Sequence, residues 1–138
     1  MIDILMSGAL VFALDQWSKQ MIQLHARDHS VQFGPVGLRC VTNRRSIYAR
    51  PGVRAGFVAV WLAAVLSAFI LLRWGVWFQS HFSLWGLGFA LGGAAGKMLD
   101  MFRRGGIVDF VDLGWWPVFN LADVAIVAGL LAALGARS

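Results

Sequence analysis

The sequence predicts an all-α membrane protein with four transmembrane helices and a small β-hairpin or sheet segment between helices 1 and 2. Three observations carry this. Apolar residues make up 59% of the 138 and charged residues 14%, against roughly half and a quarter in soluble domains. All seven acids are Asp, with no Glu, so the long acidic side chains that usually coat a soluble helical surface are missing. Finally, the residues 55–72 hold no charge, close to the ~20 apolar positions needed to cross a bilayer.

The elements follow in order along one membrane domain spanning 1–138. Helix 1 is placed at about 2–19, because the apolar run before Asp15 is too short alone to cross. Met1-Ile2-Asp3-Ile4 lacks a basic n-region and is read as a retained span, not a signal peptide. A polar segment follows at 20–54, with Gly34-Pro35, Gly37 and Pro51-Gly52 as turn signals and a short apolar-polar alternation at 36–41 that suggests the hairpin. Helix 2 is expected at about 55–73 and helix 3 at about 83–101. In helix 3, Gly88, Gly92 and Gly96 recur every fourth residue, a face that lets a neighbouring backbone approach closely. A loop at 102–117 leads to helix 4 at about 118–136, with Pro117 just before it, where a missing N–H is tolerated.

Four crossings put the end of helix 1, the start of helix 2, the end of helix 3 and the start of helix 4 on one side. Asp15, Lys19, Asn43, Asp100, Asp109, Asn120 and Asp123 all fall there. Trp17, Trp115 and Trp116 suit headgroup level on that polar face. Arg73, Trp74, Trp77, His81 and the tail fall opposite. Arg103 and Arg104 are expected to contact phosphates at the interface.

A carboxylate at bilayer depth is costly and marks a functional site by default. Asp109 and Asp123 are fourteen residues apart, and a loop 112–117 that folds back would bring them together. Two close carboxyls in a poorly solvated site share one proton. The charged one can take a proton from water while the protonated one polarises a carbonyl. Asn120, three residues before Asp123, shares its helix face and is placed to orient Asp123 or the water. The bland alternative has Asp109 capping a turn and Asp123 paired with a cation such as Lys97. Asp112 competes with Asp109 as the acid. The single Cys40 excludes an internal disulfide. His25, His29 and His81 lack metal-ligand spacing, so no metal and no cofactor is expected. The net charge of +5 points to anionic headgroups as partner in place of nucleic acid.

Asp15-Gln16-Trp17-Ser18-Lys19, Gly92-Gly93-Ala94-Ala95-Gly96, Val108-Asp109-Phe110 and Phe119-Asn120-Leu121-Ala122-Asp123 resemble the motifs of lipoprotein signal peptidase, signal peptidase II, in order along almost the whole chain. The resemblance implies a bacterial inner-membrane aspartic endopeptidase with its segment 20–54 outside the cytoplasm. It would cut a prolipoprotein signal peptide before the diacylglyceryl-modified cysteine, among membrane lipids and as a monomer. Asp109 and Asp123 would be the catalytic dyad, with Asp15, Lys19, Asn43 and Asn120 in supporting or substrate-side positions; Lys97 and Asp100 join them as a candidate pair on the residues' own reading.

The chain departs from that family at two places. Lys97 and Met101 stand where the family usually has Asn and Arg, and Asn43-Arg44-Arg45-Ser46-Ile47-Tyr48 stands where it has an Asn-x-Gly-x-Ala-Phe stretch. Positions 97 and 101 are one turn apart on one face, so the family's cation is expected to have moved to Lys97 and to pair with Asp100; Lys97 snorkelling to headgroups is the alternative. A non-catalytic relative that binds lipoprotein or lipid is the competing function. Charge bias conflicts with the resemblance: ten of twelve basic residues lie on the polar face, with Arg73 and Arg137 opposite. The positive-inside rule would turn that face to the cytoplasm, whereas the resemblance turns it outward.

Overall fold

Ser7, Val11, Asp15 and Lys19 recur every fourth residue along α1 (Ile2–His25), and all four side chains are buried. That spacing makes one stripe on a helix, and the stripe faces α3 (His81–Arg103). The structure, a computed structural model, describes residues 1–43, 50–74 and 78–136. The remaining elements are β1 (Val31–Phe33), β2 (Val36–Asn43), α2 (Pro51–Arg73), β3 (Ile107–Asp112) and α4 (Leu121–Gly135).

Glycine makes α3 the central helix. A Cβ on Gly92 would lie 2.9 Å from the Cα and carbonyl carbon of Gly8 on α1, closer than packed carbons come. One on Gly96 would strike the Asp15 carboxylate. On the other side of α3, a Cβ on Gly86 would lie 2.6 Å from the Gly129 carbonyl of α4. The glycines thus serve close helix packing. α2 is the outlying helix, with Ala68 its one buried residue; Trp61 Nε1 donates to the Leu91 carbonyl of α3 at 3.2 Å. Among the described residues α2 is the one helix long and apolar enough to cross a membrane by length and composition, while α4 is apolar but shorter.

The expected hairpin forms as β1 and β2, turning at Gly34 (φ +61°). The sheet is larger than expected, because β3 pairs antiparallel with β2, giving the order β1-β2-β3. Asp109 lies on this strand opposite Val41, and not at a helix end or in a loop. Val108 and Phe110 point inward between more accessible neighbours, a period-two burial that six residues between glycines display only weakly in sequence. α1 runs past 19 to His25, and α2 begins at Pro51. α4 begins at Leu121, three residues later than expected, because Asn120 rather than Pro117 caps it. Trp77, Arg137 and the stretch 44–49 lie outside the described residues.

Three fully buried charges join the helices. Lys19 Nζ lies 2.6 Å from Asp15 Oδ2 and 2.7 Å from Asp100 Oδ2. Arg104 Nη1 reaches Asp100 Oδ1 at 2.8 Å and Gln16 Oε1 at 2.8 Å, so it faces inward and not toward the interface. Each desolvated ion needs such partners, since an unpaired one costs several kcal/mol. Lys19→Met leaves Asp15 and Asp100 without their shared ammonium and should destabilise the fold by about 3–5 kcal/mol. Thermal melting in detergent measures this, and an unchanged melting temperature would refute the role.

Candidate active site

The chain after β3 doubles back on itself. Asp112 Oδ1 accepts from the Gly114 amide at 2.8 Å and Gly114 turns with φ +82°. Phe119 then bonds Val111 in both directions, N–H to carbonyl at 2.8 and 3.1 Å. This brings residue 120 back beside Val108 and Asp109, with α4 starting there.

Asn120 ties the two arms together. Its Oδ1 accepts from the Asp123 amide at 3.1 Å, and Asp123 Oδ2 accepts from the Asn120 amide at 3.1 Å, a capping box that satisfies two otherwise orphaned donors of α4. Its Nδ2 donates to the Val108 carbonyl and to Asp109 Oδ1, both at 2.9 Å. One buried amide therefore holds Asp109 on β3 and Asp123 on α4. Asp123 also takes an ion pair from Lys97 Nζ at 2.7 Å on Oδ1.

Burial pushes the Asp109 carboxyl up to about 6; the charge of Asp123 adds to the rise and Lys97 opposes it. Asp109, Asp123 and Lys97 share a groove of about 740 Å³ whose other walls, among them Phe119, Val124, Val127 and Leu131, are apolar. Trp116 and Pro117 line it as well. A largely apolar groove that presents two carboxyls suits a hydrophobic chain carrying a reactive polar bond.

The other expected site residues lie behind this pair. Asp15 Oδ1 accepts from the Ala122 amide at 3.1 Å, fixing the first turn of α4 from α1. Asp100 Oδ2 accepts from the Val108 amide at 3.3 Å, fixing the start of β3. Lys19 joins those two acids. Asn43 pairs by its backbone with Ile107 at the far end of β2.

The expected Lys97–Asp100 pair is not made. Lys19 and Arg104 already surround Asp100, whereas Asp123, at a helix start on the groove, is open to Lys97. The cation beside Asp100 on its own helix is Arg104, four residues on. Asp112 is removed from the groove by Arg39, 3.0 Å away across the sheet. Sequence reasoning missed Gln16, whose Nε2 donates to the Gly96 carbonyl and to Asp100 Oδ1, each at 3.2 Å. It missed Arg104 too, although the i,i+4 spacing from Asp100 was a usable signal.

Residues 8–136 match the family model for signal peptidase (SPase) II. A lipoprotein signal peptidase of Moorella thermoacetica is 37% identical over 134 residues, covering 92% of this chain and 87% of the relative. One from Syntrophomonas wolfei is 34% identical over 126 residues, covering 89% and 84%. Among solved structures, a bacterial membrane enzyme determined by the in meso method at 1.9 Å resolution has the same fold, with a TM-score of 0.79 at 20% identity over 96% of this chain and 90% of that one. The chain thus belongs to the signal peptidase II family.

Proposed function

We propose that this protein is an intramembrane aspartic endopeptidase that removes the signal peptide of lipid-modified prolipoproteins before the diacylglyceryl-cysteine. The observation that carries the reading is the Asn120 amide holding Asp109 and Asp123 together on the wall of a largely apolar groove. The Asp123 side chain accepts from the Asn120 amide and pairs with the Lys97 ammonium, both donors, as suits a carboxylate. Asp109, with its carboxyl raised to about 6, is the partner that keeps a proton.

In the reaction Asp123 takes a proton from water, and the resulting hydroxide attacks the scissile carbonyl carbon. Asp109 gives its proton to the carbonyl oxygen, forming a tetrahedral diol. The C–N bond then breaks as the nitrogen receives a proton from Asp123, and Asp109 recovers one from the diol. The signal peptide's apolar helix fits the groove walls, and the lipidated cysteine stays at headgroup level.

Four crossings of the bacterial inner membrane, in a monomer, are part of the same proposal. α1, α2 and α4 each pack on α3, with exposed Leu5, Leu10, Leu130 and Leu131 suited to acyl chains. Exposed Trp17, Trp115 and Trp116 suit a headgroup plane on the side of the acids. That plane faces outward, where prolipoproteins are processed, and the excess arginines bind headgroups there.

Lys97 beside Asp123 and the substituted stretch at 44–47 also suit the second reading, a relative that binds without cutting. Cleavage of a lipidated precursor by purified protein separates the two. Wild type should cleave, Asp109→Asn and Asp123→Asn should each lose about a thousandfold in kcat, and kcat/KM should fall as pH rises through about 6, where Asp109 loses its proton. Equal cleavage by both variants would overturn the dyad. Orientation is read from Cys40 on β2 in intact cells with a membrane-impermeant thiol reagent. Burial raises that thiol's pKa, so the reaction is run at alkaline pH. Labelling without permeabilisation is expected, and protection until permeabilisation would reverse the topology.

A further inference from the structure

Two aspartates that divide acid and base duties between them need surroundings that make them unequal. The backbone contributes one inequality: Asp123 sits in the first turn of α4, where helix amides favour negative charge, whereas Asp109 sits on a strand. Lys97 contributes a second. Its Nζ lies 2.7 Å from Asp123 Oδ1, and among the described residues it makes no ion pair with Asp109. Its stem runs from α3 beside Ala94, Met98 and Ile126, and its side chain is 23% exposed, so the ammonium is held on the groove rather than extended into solvent.

We propose that Lys97, through its ion pair with Asp123, is the positioning residue that fixes which carboxyl takes the proton from water. This rests on the hydrolase reading above and adds a residue that the family usually replaces with Asn. The ammonium keeps Asp123 as the anion and turns its Oδ1 toward α3, while Asn120 holds Oδ2 by its amide. Asp109 feels the ammonium only through space; its own hydrogen-bond partner is a neutral donor, the Asn120 side chain, and it keeps the proton.

The other charges around the pair are already committed. From α1, Asp15 and Lys19 are joined to each other. From α3, Asp100 is held by Lys19 and Arg104. From the start of α2, Arg54 lies over the Phe102 ring at 5.8 Å. From β3, Asp109 is the remaining charged neighbour in the groove. Lys97 is therefore the cation whose removal changes the balance between the two acids most directly.

The test is the pH dependence of cleavage of a lipidated precursor by wild type, Lys97→Met and Lys97→Arg, each first shown to melt as a folded protein in detergent. Without the ammonium the whole bell of kcat/KM against pH should move to higher pH by about one unit. At the wild-type optimum kcat should fall about tenfold, with KM within about twofold of wild type. Lys97→Arg should restore the wild-type profile. Should Lys97→Met not fold, Lys97→Gln carries the same comparison. An unmoved profile in the neutral variant would overturn the proposal. So would a raised KM at constant kcat, the mark of a substrate contact, and so would a higher kcat, the mark of a brake. Loss of the hydrolase reading itself has a different signature, full cleavage by Asp109→Asn and Asp123→Asn.

Discussion

Lys19 Nζ has no contact with solvent, and it lies within 2.7 Å of a carboxylate on its own helix and of another on α3. The geometry of the working end follows from that one ammonium. Asp15 is free to receive the first turn of α4 through the Ala122 amide because its other oxygen is neutralised by Lys19. Asp100 receives the first amide of the buried part of β3 for the same reason. The two chain segments that carry Asp109 and Asp123 thus hang from one three-charge cluster. A cluster of this kind contributes little net stability compared with apolar packing, but removing one member leaves uncompensated charge. Its use here is to set position.

Above the cluster, a second constraint acts on the acids themselves. Asn120 commits both side-chain N–H groups and its oxygen to three partners, one on α4 and two on β3. It leaves the carboxyls near one another in a groove lined mostly by hydrocarbon, where two like charges repel strongly. Burial raises Asp109, and the start of α4 together with Lys97 suits a carboxylate at Asp123. Hydrolysis by the proposed dyad needs such a division, and backbone placement, one amide and one lysine are what the fold offers toward it.

The helices were legible because their signals are long. The uncharged run at 55–72 and the fourfold glycine spacing at 88, 92 and 96 each span several turns, and composition left few alternatives. β3 was not, since six residues beside a glycine pair carry too little periodicity, and its pairing partner lies some seventy positions earlier. Asp109, Asp123 and Asn120 stood out as polar residues in apolar surroundings. Their meeting depends on the loop 112–117 folding back, which no local pattern in the sequence dictates. Of the two acids weighed for Lys97, it takes Asp123 and not Asp100, while Arg104 pairs with Asp100 and not with interfacial phosphates. Ion-pair partners depend on azimuth around a helix and on which carboxylates are already occupied, and spacing along one helix gives the first only approximately. Orientation in the membrane was ambiguous as well, because charge bias and family resemblance disagree.

The central claim, one proton held unequally by two carboxyls at the edge of a bilayer, is tested most directly by infrared difference spectroscopy of the protein in lipid across a pH series. A protonated-carboxyl C=O stretch that titrates at about 6 and vanishes in Asp109→Asn is the predicted result. A stretch that survives in Asp109→Asn and vanishes in Asp123→Asn, or no such band between about pH 4 and 8, would contradict it.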